Sequence, residues 1–211
     1  MPADRDHLRA AYDVVAGAYA ERFVDELRHK PLDRALLNMV ADEFGDRGIV
    51  ADIGTGPGHV ARYLSDHGIR ALGVDLSPEM IAHAGRLHPS VQFEVGDMLA
   101  LQQEDGTFAA ITAFYAIVHL SLAEVRNAVR EFLRVLQPRG LVLLSFHVGS
   151  EDIYVEEFLG AHVRLVFRLF KVADIQRALV DAGFVVEASI ERRAYTEEHP
   201  TLRGYVLARA P

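Results

Sequence analysis

The sequence has no cysteine. Disulfides, thiolate metal sites and cysteine nucleophiles are therefore excluded. It also lacks any apolar run near the roughly 20 residues that a membrane-spanning helix needs. The first residues, MPADRDHLRAAYD, have no uninterrupted apolar core of the kind a signal peptide carries. These absences lead to the expectation of a cytoplasmic protein with no membrane partner. Basic charge is scarce as well: 22 Lys and Arg stand against 30 Asp and Glu, a net charge of −8. Nucleic-acid binding relies on Lys and Arg to neutralise phosphates. The short basic stretches RVLQPR and ERR are isolated, so no nucleic-acid partner is expected. Ten histidines are present, but none is paired as HxH or HxxxH, and no metal site is expected.

The composition, half hydrophobic and a quarter charged, is that of an ordinary globular protein. The length suits one domain, 1–211. Leu8, Ala11, Tyr12, Val15, Tyr19, Phe23 and Leu27 recur at helical spacing and predict a helix over 7–28. A second helix is expected from Pro31, a good first-turn residue, to about Phe44. Strands then alternate with helices. GIVADIG, RALGVD, VQFEVGD, FAAITAFYAI and LVLLSFHV read as strands. HVARYLSDHG, closed by Gly68, reads as a helix, as does SPEMIAHAGRLH with Ser77 as its cap. A long helix is expected from Ser121 until Pro138 and Gly140 stop it. The chain closes on a helical VADIQRALVDAGF and two strands, VVEASIERR and RGYVLARA. Nearly continuous apolar strands alternating with helices predict a doubly wound α/β domain with a parallel sheet covered on both faces. In such folds ligands bind beyond the C-terminal ends of the strands.

Three acids stand at such ends: Asp52, Asp75 and Asp97. Any one of them alone could be a cap or turn residue. Asp52 leads into VADIGTGPGHVARYL, where the glycines are Gly54, Gly56 and Gly58. A dinucleotide fingerprint places a pyrophosphate on the helix N-terminus and needs a third glycine where His59 stands. Pro57 removes an N–H that could bind phosphate, and Asp52 adds negative charge. Asp75 still suits ribose hydroxyls. A nucleoside with a ribose, a positive charge and no phosphate fits best, and S-adenosylmethionine is such a molecule.

At this point VADIGTGPG, GVDLSPEMI, EVGDMLAL and ITAFYAIVHL, followed by LRVLQPRGLVLLSFH, resemble the successive motifs of class I S-adenosylmethionine-dependent methyltransferases. The resemblance covers about residues 47–210 in order. It implies a Rossmann-like seven-stranded sheet whose last strand is antiparallel and inserted beside the fifth. It also implies roles. Asp52 and the backbone of Gly54, Thr55, Gly56 and Gly58 would surround the methionine part. Asp75 would hold the ribose, with Leu76 against the adenine. Asp97 would accept from the adenine amino group, with Met98 on the ring. Phe114 and Tyr115 would line the sulfonium. The Asn/Asp-Pro-Pro-Tyr/Phe signature of enzymes that methylate adenine or glutamine nitrogen is absent; AFYA stands there.

The chain then divides into a helical lid (1–46), a cofactor-binding core (47–148), a cover segment (149–170) and the rest of the sheet (171–211). In similar enzymes N-terminal helices cover the cofactor, which points to Tyr12, Tyr19, Arg22 and Phe23; a plain amphipathic helix is the alternative. The segment 149–170 fits a strand after Gly160 or a helix through 154–170. Either way Tyr154, Phe158, Arg164 and Arg168 are candidates to face the acceptor. Methyl transfer depends first on alignment. A base is needed only if the acceptor loses a proton; the candidates are His119 and His147, with Tyr115 beside them, although each histidine could simply pack or cap. The expected activity is methyl transfer from S-adenosylmethionine to a small molecule. The alternatives are a non-catalytic module that binds the same cofactor and a Rossmann oxidoreductase using a nicotinamide dinucleotide.

Overall fold

The computed structural model describes residues 5–211. Strands β1 (Ile49–Ile53), β2 (Arg70–Asp75), β3 (Gln92–Val95), β4 (Phe108–Phe114) and β5 (Leu136–Val148) pair in parallel. After a short antiparallel pair, β6 (Ile153–Val155) and β7 (Leu165–Phe167), come β8 (Val185–Arg192) and β9 (Leu202–Arg209). The main sheet has seven strands in the order β3-β2-β1-β4-β5-β9-β8. β9 runs antiparallel to both neighbours and lies between β5 and β8. The doubly wound sheet and its reversed last strand are those expected.

Helices α2 (Pro31–Phe44) and α3 (His59–Asp66) bury Leu37, Val40 and Leu64 in one core with Val50, Ala110 and Leu143. Helices α5 (Leu122–Val135) and α6 (Val172–Ala182) bury Phe132 and Leu179 in another, with Ile53, Ile111 and Leu144. Alternate strand residues thus feed two faces, as a twice-covered sheet requires. Ser77 caps α4 (Pro78–Leu87), accepting from Met80 N–H at 3.1 Å. Ser121 and Glu124 form a capping box at the start of α5.

Three expectations are corrected. The first helix, α1 (Arg5–Phe23), stops short of 28, and Glu26–His29 forms a separate 3₁₀ turn. Leu27 keeps the apolar spacing but is buried in the α2–α3 core instead. The long helix ends at Val135, before Pro138. Leu136 already pairs with Phe108, and Gly140 lets β5 approach β4: a Cβ there would meet Ala109 O at 3.0 Å. The third correction is to the helix reading of 154–170: the alternative, a strand after Gly160, is present as Leu165–Phe167. This strand pairs with β6, and Leu165 is packed beneath Ala11 and Val15 of α1.

Candidate functional site

The C-terminal ends of β1, β2 and β4 open onto a cleft roofed by α1. Asp52 is buried at 2% exposure and lines neither cavity of the cleft. It accepts hydrogen bonds from Thr55 Oγ1 at 2.6 Å and Thr112 Oγ1 at 3.0 Å. The Ala61 N–H in the first turn of α3 also donates to it. Burial raises its pKa and these donors oppose the rise. Its carboxylate therefore takes the helix-end position where a dinucleotide fold would hold phosphate, and the side chain anchors the loop from behind. Asp52 thus stands behind the loop and not in the lining of either cavity.

The loop's own donors are engaged as well. Gly54 and Thr55 N–H donate to Val74 O at 2.7 and 3.0 Å, and Gly58 N–H to Thr55 O at 2.9 Å. Gly56 N–H donates to Asp75 Oδ2 at 2.8 Å. Pro57 has none to give. Gly54 adopts φ +73°, and a Cβ there would lie 2.4 Å from that of Ala116, so only glycine lets the loop meet the turn after β4.

Asp75 faces the smaller cavity, of about 80 Å³, together with Leu76, Met98, Gly54, Gly56, Phe114 and Tyr19. Ser77 N–H donates to its Oδ1 at 2.9 Å. Burial pushes its pKa up to about 6, with the Ser77 and Gly56 donors opposing and the Asp52 charge adding. Asp97 is bound by Arg5 through two guanidinium nitrogens and accepts from Leu99 N–H at 2.9 Å.

A second cavity of about 580 Å³ adjoins the first. Tyr12, Tyr19, Phe114, Tyr115, Gly54 and Gly56 line both. Phe23, Val118, Val155, Phe158, Phe167 and Leu169 give it apolar walls, and Arg22 and Thr55 also border it. Of the four cover-segment candidates only Phe158 lines it. Tyr154 is 74% exposed, Arg164 is exposed, and Arg168 is paired with Asp152 at 2.7 Å.

The far end of this cavity was not foreseen. Lys30, 7% exposed, donates to Glu26 at 2.7 Å and lies 4.4 Å from the centre of the Tyr115 ring. Glu198 accepts from Arg192 at 2.5 and 2.9 Å and stands 3.6 Å from Arg203, itself 3% exposed. Tyr115 adopts φ +53°, unusual for a bulky residue, and its ring rests against His147 with centroids 5.2 Å apart. The reversed direction of β9 is the signal that could have revealed Arg203. An antiparallel strand begins where the others end, and Arg203 pairs with His147.

Neither histidine stands free. His119 lies in the 3₁₀ turn Ile117–His119, buried. Its Nδ1 lies 2.7 Å from Val166 O and its Nε2 2.6 Å from Tyr12 OH. A carbonyl can only accept, so Nδ1 carries the proton and Tyr12 donates to Nε2. Burial pushes the His119 pKa down to about 4, with Arg5 and Arg168 adding to the fall and the Val166 carbonyl opposing it. His147 contacts Thr201 Oγ1 at 2.7 Å; burial and Arg203 push it down to about 3. Both are neutral at pH 7.

Residues 50–140 match a family model described as a methyltransferase domain. An uncharacterized methyltransferase, YcgJ, of Bacillus subtilis (strain 168) is 38% identical over 121 residues, covering 55% of this chain and 47% of that protein. The malonyl-[acyl-carrier protein] O-methyltransferase of Enterobacter lignolyticus (strain SCF1) is 28% identical over 144 residues, covering 68% and 55%. The chain thus spans about half the length of the curated relatives it matches. Among solved structures, magnesium protoporphyrin IX methyltransferase from Synechocystis PCC 6803 with bound SAH superposes with a TM-score of 0.76 at 17% identity, covering 99% of this chain and 100% of that one. Residues 50–140 thus carry a methyltransferase domain by that model, and the sheet order and strand-end residues are similar to those of class I S-adenosylmethionine-dependent methyltransferases.

Proposed function

We propose that the protein transfers a methyl group from S-adenosylmethionine to a small, largely apolar acceptor held in the larger cavity. The observation that carries the cofactor half is the loop at 54–58. Its N–H groups are satisfied internally, and Asp52 takes the helix-end position. A pyrophosphate would meet a carboxylate and no free loop donor, whereas a cationic nucleoside without phosphate fits. The acceptor half rests on the apolar walls joining a polar end at Lys30 and Glu198. Relatives named for demethylmenaquinone and norajmaline methylation, at 31% and 39% identity, are consistent with a small-molecule acceptor.

When bound, S-adenosylmethionine supplies an electrophilic methyl on sulfur. The chain's own work is to hold and align. Asp75 would accept from the ribose hydroxyls, and Leu76 and Met98 would flank the base. The tyrosines and Phe114, shared by the two cavities, would hold the reacting groups where these cavities meet and exclude water there. Alignment of this kind can be worth about 7–11 kcal/mol. His119 is neutral, and its Nε2 is already taken by Tyr12. Positioning therefore outweighs acid–base catalysis in this reading.

Calorimetry with S-adenosylhomocysteine and with NAD tests it. Binding of the thioether and none of NAD is expected. Tight NAD binding with none of the thioether overturns the cofactor and the function with it. Mass-spectrometric capture of the cavity's occupant would then identify the acceptor.

A further inference from the structure

Arg5 stands at the adenine end of the cleft, and its place there has a consequence for the cofactor. Asp97, the acid that the family pattern assigns to the adenine amino group, is held by three donors. Arg5 Nε donates to Oδ2 at 3.0 Å, a second guanidinium nitrogen donates to Oδ1, and Leu99 N–H reaches the same Oδ1 at 2.9 Å. Arg5 also lines the smaller cavity with Leu8, Arg9 and Tyr12, all from α1. That cavity holds about 80 Å³, against the roughly 300–1,000 Å³ typical of pockets that enclose a ligand. A nucleoside therefore enters only if this end of α1 moves.

Two further contacts tie α1 across the cleft. Asp13 accepts from Ser77 Oγ at 2.5 Å, and Tyr12 donates to His119 at 2.6 Å. Neither uses a group that the cofactor needs for its base. The Arg5–Asp97 contact does. Both its side chains are partly open to solvent, at 23% and 29%, so the pair is of the kind that salt weakens and a competitor can open.

We propose that Arg5 is a residue of the cofactor site that sets affinity by competition: its ion pair with Asp97 closes α1 over the adenine end of the empty site, and the adenine amino group displaces it. The proposal rests on the cofactor reading above.

Two measurements on wild type and Arg5→Gln test it. The first is hydrogen exchange without cofactor. Amides of residues 8–23 should exchange faster in the variant, because the latch at the start of the helix is gone. The second is S-adenosylhomocysteine affinity by calorimetry at 0.05 and 0.5 M NaCl, salt levels that bracket strong and weak screening. This ligand has no net charge, so its own salt response is small. Wild type should bind more tightly at the higher salt. The variant should bind about two- to fivefold more tightly than wild type at the lower salt, with little response to salt. Equal or weaker binding by the variant, or unchanged exchange in α1, overturns the gate while leaving the cofactor reading intact. Absence of binding by both proteins overturns the cofactor reading and the gate together.

Discussion

On the side of the cleft proposed for the cofactor, Asp52, Asp75 and Asp97 sit at or just beyond successive strand ends, and each has one donor within three residues. Thr55 serves Asp52, Ser77 serves Asp75, and Leu99 serves Asp97. On the side proposed for the acceptor, Lys30, Tyr115, His147, Glu198 and Arg203 come from five separate segments. Arg192 reaches Asp33, 159 residues away, and Tyr205 OH donates to the same carboxylate across 172 residues. The first side is written in short-range geometry, where a carboxylate finds a backbone N–H wherever a strand turns into a loop. The second is a network of buried charges that exists only once the whole sheet has closed. A site of the first kind tolerates the loss of one side chain, because its frame is backbone. A site of the second kind does not, because each charge is the reason its neighbours can be buried.

The largest test of this contrast is Glu198→Ala. The side chain is 6% exposed and faces Arg192, Arg203 and Lys30. Removing it leaves cations in a poorly solvated corner, and breaking a buried pair from one side costs about 3 kcal/mol or more. Chemical denaturation should show that loss, with S-adenosylhomocysteine affinity little changed at a temperature where the variant is folded. A stability unchanged within error would mean that the network is a solvated surface and the contrast false.

Asp75→Ala comes next and probes the other side. It should weaken S-adenosylhomocysteine binding by about 1.5–3 kcal/mol, the range for hydrogen bonds to a charged group. The fold should survive, because Gly56 and Ser77 lose only an acceptor that faces the cavity. Calorimetry checks the affinity, and a melting curve checks the fold. Wild-type affinity in the variant would remove the ribose assignment.

This difference also explains what the sequence made legible. The strand-end acids, the Gly54–Gly58 loop and the alternation of strands and helices follow from local pattern, as do His119 and His147 at strand ends, whereas the reversed last strand is legible only through the family resemblance. Arg203, Glu198 and Lys30 carry no local signal: Lys30 precedes the proline that opens α2, and Glu198 lies in a charged loop that reads as solvated. Only the reversal of β9 places that loop at the site. The early end of α1 was hidden for a related reason. Leu27 continues the helical spacing, yet the chain must turn before it so that Glu26 can meet Lys30 and His59, at 2.7 and 2.9 Å.

A third prediction uses pH. The Asp75 pKa is pushed up to about 6, and the charged form is the one that accepts from ribose hydroxyls. Affinity for S-adenosylhomocysteine should therefore fall about tenfold between pH 7 and pH 5, since one pH unit beyond a pKa corresponds to a factor of ten. Stability carries the opposite sign for this group. A carboxyl whose pKa is higher folded than unfolded binds more protons in the native state between about pH 4 and 6, so its contribution to stability declines as pH rises through that window. His119 and His147, held down to about 4 and 3, act the other way. Their contribution is present above the unfolded value of about 6.5 and is lost as pH falls toward the folded values. Binding isolates Asp75, because both histidines stay mostly neutral over pH 5–7. A flat affinity profile from pH 7 to 5 would show that the cofactor does not rely on this carboxylate.

The smallest expected effect is at the seam between the two sides. Tyr12 lines both cavities, and its hydroxyl ties α1 to His119, whose Nδ1–H in turn holds the Val166 carbonyl of β7. In Tyr12→Phe the ring and its packing against Tyr19, with centroids 5.9 Å apart, remain. Only the hydroxyl is lost, and water from the cavity can reach the freed Nε2. The net cost should be about 1 kcal/mol. If the chain of contacts transmits order from the lid to the cover segment, amides of 153–167 should exchange faster in the variant, with S-adenosylhomocysteine affinity within about twofold of wild type. Hydrogen exchange and calorimetry on the same preparation separate the outcomes. A tenfold loss of affinity with unchanged exchange in 153–167 would move Tyr12 wholly to the cofactor side. The acceptor cavity would then be built without help from the lid.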